Sequence, residues 1–197
     1  MKKTLILDLG NVILKVKKQV VIEKFAKILK VSVNQIEKQI DWNLEEIYES
    51  GNISTDDYIN QINPNEKIFT YDNLIEIWKD GFEEIWTTVD LLPRLAKTTN
   101  LFMLSNTNDI HFTAIENRFK ISCYFQKLVL SYQLGCRKPD HEIYHKALKI
   151  AETTPDNAYF VDDLTKNIKS AKEVGITAHQ YTNHEAFYNF LQIHSLI

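Results

Sequence analysis

Three short apolar runs in this chain of 197 residues end on polar groups. Residues 5–7 run into Asp8, residues 101–104 into Ser105 and Asn106, and residues 158–161 into Asp162 and Asp163. Short apolar runs that stop at a turn read as buried strands. Helical patterns follow over residues 90–98, 110–119, 139–151, 165–174 and 184–191, with two more short strands expected over 128–130 and 176–181. Strands alternating with helices predict an α/β fold: a three-layer, Rossmann-like parallel sheet core with helices on both faces. Ligands of such sheets bind beyond the carboxyl ends of the strands. The polar strand ends, with Lys138 at the start of the helix expected over 139–151, are therefore expected to converge.

Between the first strand and the rest the pattern is helical from residue 18 to 86, and no strand is expected there. Val21, Phe25, Ile28 and Leu29 share one helical face. Ser32 with Gln35 reads as a capping box opening one segment, with Ile36, Ile40, Leu44 and Ile47 inward, that Gly51 stops. Ser54 with Asp57 reads as a second box, and Asn63-Pro64-Asn65 as a break. Tyr71, Leu74, Ile75, Trp78, Phe82 and Ile85 mark a long amphipathic helix. A helical block cannot join the sheet. Residues 17–89 are thus expected to form an inserted helical cap subdomain, four-helix-bundle-like, on a core of residues 1–16 and 90–197. Trp42, Trp78 and Trp86 are expected in its interior.

Composition removes several function classes. The net charge is −3, and the basic spots (Lys2-Lys3, residues 15–18, Arg137-Lys138) are short. Neither nucleic acid nor a membrane surface is an expected partner. Two cysteines make no disulfide framework, which points to a reducing compartment. The apolar run after Lys2-Lys3 breaks at Asp8, too soon for a secretory leader, and no stretch is long enough to span a bilayer. A cytoplasmic protein is expected.

Four stretches carry chemistry: Asp8-Leu9-Gly10-Asn11-Val12, Leu104-Ser105-Asn106-Thr107, Arg137-Lys138-Pro139, and Val161-Asp162-Asp163 with Asn167-Ile168. In this order they resemble the four motifs of the haloacid dehalogenase superfamily, and the helical insert resembles its first cap type. The match runs along essentially the whole chain and is similar to the bacterial α-D-glucose-1-phosphate phosphatase subgroup. The resemblance implies a Mg²⁺-dependent phosphatase acting on a small phosphorylated metabolite, such as a hexose 1-phosphate, through an aspartyl phosphate on Asp8. It implies that Asp8, the Gly10 carbonyl and Asp163 hold the metal, with Asp162 binding directly or through water. Ser105, the Asn106 amide and Lys138 would hold the phosphoryl group, with Asn11 beside them orienting Asp8.

The residue types fit that chemistry. A carboxylate is ionised at neutral pH and needs no base to attack phosphorus. Two anions must meet, so a divalent cation with oxygen ligands is called for. Lys138 is expected to neutralise charge and to keep Asp8 ionised. Taken singly, each residue has a plain structural reading: Asp8 a strand end, Ser105 and Asn106 a loop start, Lys138 a solvated lysine, Asp163 a helix cap. Their joint occurrence carries the chemistry. Cys136 reads as an ordinary thiol, and His141 and His145 as an exposed polar face.

Gly10 stands where most phosphatases of the resembled superfamily carry a second aspartate, the acid and base for leaving oxygen and attacking water. Such assistance is worth roughly 10²–10⁴ in rate. Three readings follow: a phosphatase whose leaving group departs with little help, a 2-haloacid dehalogenase, or a weakly catalytic phosphosugar-binding or regulatory protein. The Asp162-Asp163 pair, which implies a cation, favours the first.

Overall fold

The structure, a computed structural model, describes residues 2–63 and 68–197; of Trp42 it describes the backbone alone. The chain opens with β1 (Thr4–Leu7) and β2 (Leu14–Val16). Five helices follow: α1 (Lys18–Leu29), α2 (Val33–Gln39), α3 (Trp42–Glu49), α4 (Thr55–Ile62) and α5 (Tyr71–Lys79). Next come β3 (Phe82–Glu84), α6 (Trp86–Val89), α7 (Leu92–Thr98), β4 (Asn100–Ser105) and α8 (Asp109–Phe119). After β5 (Lys127–Leu130), α9 (Ser131–Leu134) and α10 (His141–Ile150), the chain ends with β6 (Ala158–Asp162), α11 (Thr165–Glu173), β7 (Thr177–Gln180) and α12 (His184–Ile193).

The sheet order is β5-β4-β1-β6-β7, every pairing parallel. Alternate residues of β1 point to opposite faces. Leu5 and Leu7 pack with Leu92 and Leu95 of α7, Ile115 of α8 and Phe187 of α12. Ile6 packs on the other side with Ile143 and Tyr144 of α10 and Ile168 of α11. The layers expected from the alternation are present.

The insert departs from the expectation in four places. First, the chain leaves and re-enters the core through an antiparallel ribbon, Leu14 facing Glu84 and Val16 facing Phe82. Strands of three residues are too short to show a period. The helix expected through Ile85 ends at Lys79, and Gly81 follows where a Cβ would lie 2.7 Å from Val21 Cγ2. Second, the segment from Ser32 to Gly51 is two helices, because the Asp41 carboxylate accepts from the amides of Asn43 and Leu44 and starts α3 anew. Third, Ile28 is exposed, its expected inward place taken by Ile22 and Ala26. Fourth, Trp86 is 62% exposed at the start of α6, not interior.

Ser32 and Gln35 form a full capping box. Ser54 and Asp57 make half of one: the Ser54 hydroxyl accepts from the Asp57 amide, then donates to the Asp57 carboxylate instead of leaving it to the Ser54 amide. The expected break at Asn63-Pro64-Asn65 lies, beyond Asn63, outside the described residues. Val21, Tyr48, Tyr58, Leu74 and Ile75 form the insert's interior, together with Ile110 and Ala114 of α8. One helix therefore serves two interiors, since Ile115 of α8 belongs to the sheet's.

Candidate active site

Asp8 follows β1 directly, and its amide donates to Val161 O at 2.9 Å, extending the pairing with β6 by one residue. The neighbouring strand ends bring Ser105 on one side and Asp162 on the other. Lys138 reaches in from the loop between α9 and α10. Its Nζ lies 2.8 Å from Asp8 Oδ1, 2.7 Å from Asp162 Oδ2 and 2.9 Å from Leu104 O. At 1% exposure, with Asp162 at 0% and Asp8 at 7%, this is an enclosed ionic cluster. A buried lysine is tolerable because oxygen acceptors replace its water.

The helix expected from Pro139 starts at His141 instead. The loop before it is held by Asn106, whose Oδ1 accepts from the Lys138 amide and whose Nδ2 donates to Lys138 O, both at 2.8 Å. The Asn106 side chain is thus committed to placing Lys138. The loop carrying Ser105 and Asn106 is anchored in turn by Ser131, whose hydroxyl bonds both the amide and the carbonyl of Thr107 at 3.0 Å. Sequence reading missed Ser131, which sits at the end of a strand with nothing in its neighbours to mark it.

Asp162 has both oxygens engaged. Oδ1 accepts from the Leu164 amide at 2.8 Å, and Asn167 Nδ2 lies within 3.0 Å of both oxygens. This residue orients Lys138. Asp163 is half-buried and more open, with one oxygen accepting from Asn11 Nδ2 at 3.0 Å. Asn11 accepts from the Val16 amide in return and has φ 53°, a left-handed conformation that asparagine adopts more readily than most residues.

Burial raises the Asp8 carboxyl to about 7; Lys138 pulls it down, and Asp162 pushes it up. The expected charge pairing with Lys138 exists, but burial outweighs it. Burial also favours loss of the Lys138 proton, yet the facing carboxylates of Asp8 and Asp162 prevail and hold it charged. Burial raises Asp163 as well, against the Asn11 hydrogen bond. Carboxylate oxygens of Asp8, Asp162 and Asp163 lie within 4.8 Å of one another. Three hard oxygen donors with one lysine leave excess negative charge, and that donor set fits a divalent cation.

Gly10 and Asn11 line the same cavity as Asp8, Ser105, Lys138 and Asp163. A Cβ built on Gly10 would meet only Val16 Cγ2, at 3.4 Å, so packing does not demand glycine there. His111 and Trp78 border the cavity with ring centroids 3.6 Å apart. Burial drops His111 to about 3, so it stays neutral. Cys136 is buried, which raises its thiol, and His141 and His145 are exposed on α10 as expected. No described helix is long and apolar enough to cross a membrane.

Comparison with known proteins points to one family. A haloacid dehalogenase-like hydrolase family model matches residues 5–180. A D-ribitol-5-phosphate phosphatase of Bacteroides thetaiotaomicron is 29% identical over 192 residues, 93% of each chain. A family enzyme from the same organism, solved with magnesium and inorganic phosphate, superposes with a TM-score of 0.78 at 28% identity, over 91% of this chain and 94% of that one. A hydrolase-like structure from Porphyromonas gingivalis shares the fold with a TM-score of 0.79 at 24% identity, over 98% of both chains. With the sheet order, the strand-end aspartates and a match over nearly its whole length, the chain belongs to the haloacid dehalogenase-like hydrolases.

Proposed function

We propose that this phosphomonoester hydrolase removes phosphate from a small phosphorylated polyol or sugar, with Asp8 as nucleophile and Mg²⁺ as cofactor. The observation that carries the reading is Lys138 Nζ between Asp8 Oδ1 and Asp162 Oδ2 at 2.8 and 2.7 Å, with Asp163 alongside. The likeness to a D-ribitol-5-phosphate phosphatase supports a polyol or sugar phosphate. A hexose 1-phosphate, with its acidic anomeric leaving group, belongs to the same class.

Asp8, Asp163 and the Gly10 carbonyl would hold Mg²⁺, with Asp162 at one remove. When bound, the cation lowers the repulsion between the Asp8 carboxylate and the phosphoryl oxygens. Lys138 and the Leu9 amide, 2.7 Å away, fix Asp8 Oδ1 and so orient the carboxylate. A carboxylate oxygen attacks phosphorus, an acyl phosphate forms, and the ester P–O bond breaks. Water then attacks that phosphorus, inorganic phosphate leaves, and Asp8 is regenerated. Ser105 and the Asn106 amide hold phosphoryl oxygens, and Lys138 offsets the charge that shifts during transfer. With no acid at Gly10, the leaving oxygen takes its proton from water or from the substrate. Residues 17–89 act as a cap that keeps bulk water out while the phosphoryl group is transferred and admits the water that hydrolyses the acyl phosphate.

The test is phosphate release from ribitol 5-phosphate, glucose 1-phosphate and other sugar phosphates, with and without Mg²⁺. Release is expected to require Mg²⁺ and to fall about a thousandfold or more in Asp8→Asn. Turnover unaffected by Asp8→Asn, or absent on every substrate, overturns the reading.

A further inference from the structure

The cavity in front of Asp8 encloses about 470 Å³, and α3 of the insert forms its far wall with Glu45, Glu46 and Glu49. Two features hold α3 there. Arg137, next to Lys138, pairs with Glu46 at 3.0 Å and Glu49 at 2.9 Å. Gly51, just past α3, has φ +68° and sits so close to α9 that a Cβ would lie 2.1 Å from Tyr132 O. The wall is therefore fixed relative to the loop that carries the catalytic lysine.

Within this wall the Glu45 carboxyl is half committed. The Tyr58 hydroxyl donates to its Oε1, while Oε2 is buried without a hydrogen-bond partner among the described residues. Arg137 Nε, in the loop that pairs with this wall, is also buried and without a partner among the described residues. Buried polar atoms left unpaired are rare and ask for an explanation. Burial raises the Glu45 carboxyl to about 7, so near neutrality it is present both protonated and ionised. A protonated carboxyl can donate and accept, as a hydroxyl group does. Glu45 also borders a second cavity, where Ile22, Phe25 and Leu44 are interspersed with Lys18, Asp41 and Gln61. Glu45 lines the wall of the first cavity with one carboxylate oxygen uncommitted among the described residues.

We propose that Glu45 is a specificity-determining residue whose carboxyl, oriented by Tyr58, binds a hydroxyl group on the non-phosphorylated part of the substrate. This rests on the phosphatase reading above and narrows it to short polyhydroxy phosphates whose hydroxyls reach the insert wall.

The experiment compares wild type, Glu45→Ala and Glu45→Gln on ribitol 5-phosphate and on p-nitrophenyl phosphate, which has no hydroxyl to offer. In Glu45→Ala, kcat/KM on ribitol 5-phosphate is expected to fall at least about tenfold more than on p-nitrophenyl phosphate, chiefly through KM. Glu45→Gln, which keeps a donor and an acceptor, is expected to recover most of that gap. Equal losses on both substrates, a loss confined to kcat, or better turnover of hexyl phosphate than of ribitol 5-phosphate overturns the proposal. If wild type releases phosphate from neither substrate, the phosphatase reading falls, and binding decides Glu45. Ribitol 5-phosphate raising the Tm of wild type but not of Glu45→Ala, with inorganic phosphate raising both, supports the proposal. Equal shifts by ribitol 5-phosphate in the two proteins overturn it.

Discussion

On the sheet side of the cavity, Lys138 Nζ has three oxygen partners between 2.7 and 2.9 Å; toward the insert, Glu45 Oε2 and the Nε of Arg137, which pairs with α3, have none among the described residues. On the first wall the lysine is saturated by its own protein. Its geometry is set before any ligand arrives, which suits steps common to every phosphate ester. The second wall leaves polar atoms unpaired, which suits groups that differ from one substrate to another. Under the proposed function, the first side would meet the phosphate and the second the rest of the substrate.

The sharpest way to break this comparison is Lys138→Met. It leaves Asp8 and Asp162 buried with no cation between them, and breaking a buried pair costs roughly 3–5 kcal/mol. Without the lysine the buried Asp8 carboxyl, already raised to about 7, loses the charge that pulls it down and titrates higher still, so its contribution to stability is present at low pH and lost as pH rises through the folded pKa. Urea unfolding is expected to show a larger deficit at pH 8 than at pH 5, and a deficit independent of pH would contradict the ionic account. Gly51→Ala moves the other wall. It meets both the left-handed backbone and the Tyr132 carbonyl, so a loss of roughly 2 kcal/mol or more is expected from strain and steric shift. If α3 moves, KM for sugar phosphates rises more than kcat falls. The smallest structural effect belongs to Gly10→Asp, whose Cβ finds only Val16 Cγ2 at 3.4 Å. Stability is expected to change by about 1 kcal/mol or less. The chemical effect is larger: wild-type rates should depend steeply on leaving-group acidity, and the added carboxyl should flatten that dependence. Equal wild-type rates on p-nitrophenyl phosphate and a plain alkyl phosphate would remove the premise.

What was legible in the sequence follows from where the physics is local. Residues 5–7, 101–104 and, but for half-buried Tyr159, 158–161 are buried on both faces, so their apolar runs announce strands, and the polar residue after each announces the edge. Asp8, Ser105, Lys138 and Asp162 could be gathered from that pattern before any coordinates. The ribbon of β2 and β3 could not, since three residues do not make a period. Nor could the insert wall. A helical-face reading of α3 looks for apolar residues, and Glu45, Glu46 and Glu49 look like solvated charges until Tyr58 is brought to the first and Arg137, far away in sequence, to the other two. Trp86 misled because size and hydrophobicity alone suggested burial, while its position at the start of α6 turns it outward. Ser131 was invisible for a similar reason: its bonds go to the backbone of a loop that sequence separation conceals.

Finally, α8 gives Ile110 and Ala114 to the insert's interior and Ile115 to the sheet's. The insert and the sheet are therefore not interchangeable modules. Transplanting residues 17–89 into a relative would strip them of part of their hydrophobic floor unless the matching face of α8 travelled with them. Diversification of this cavity is easier by point changes on α3 than by exchange of the whole insert.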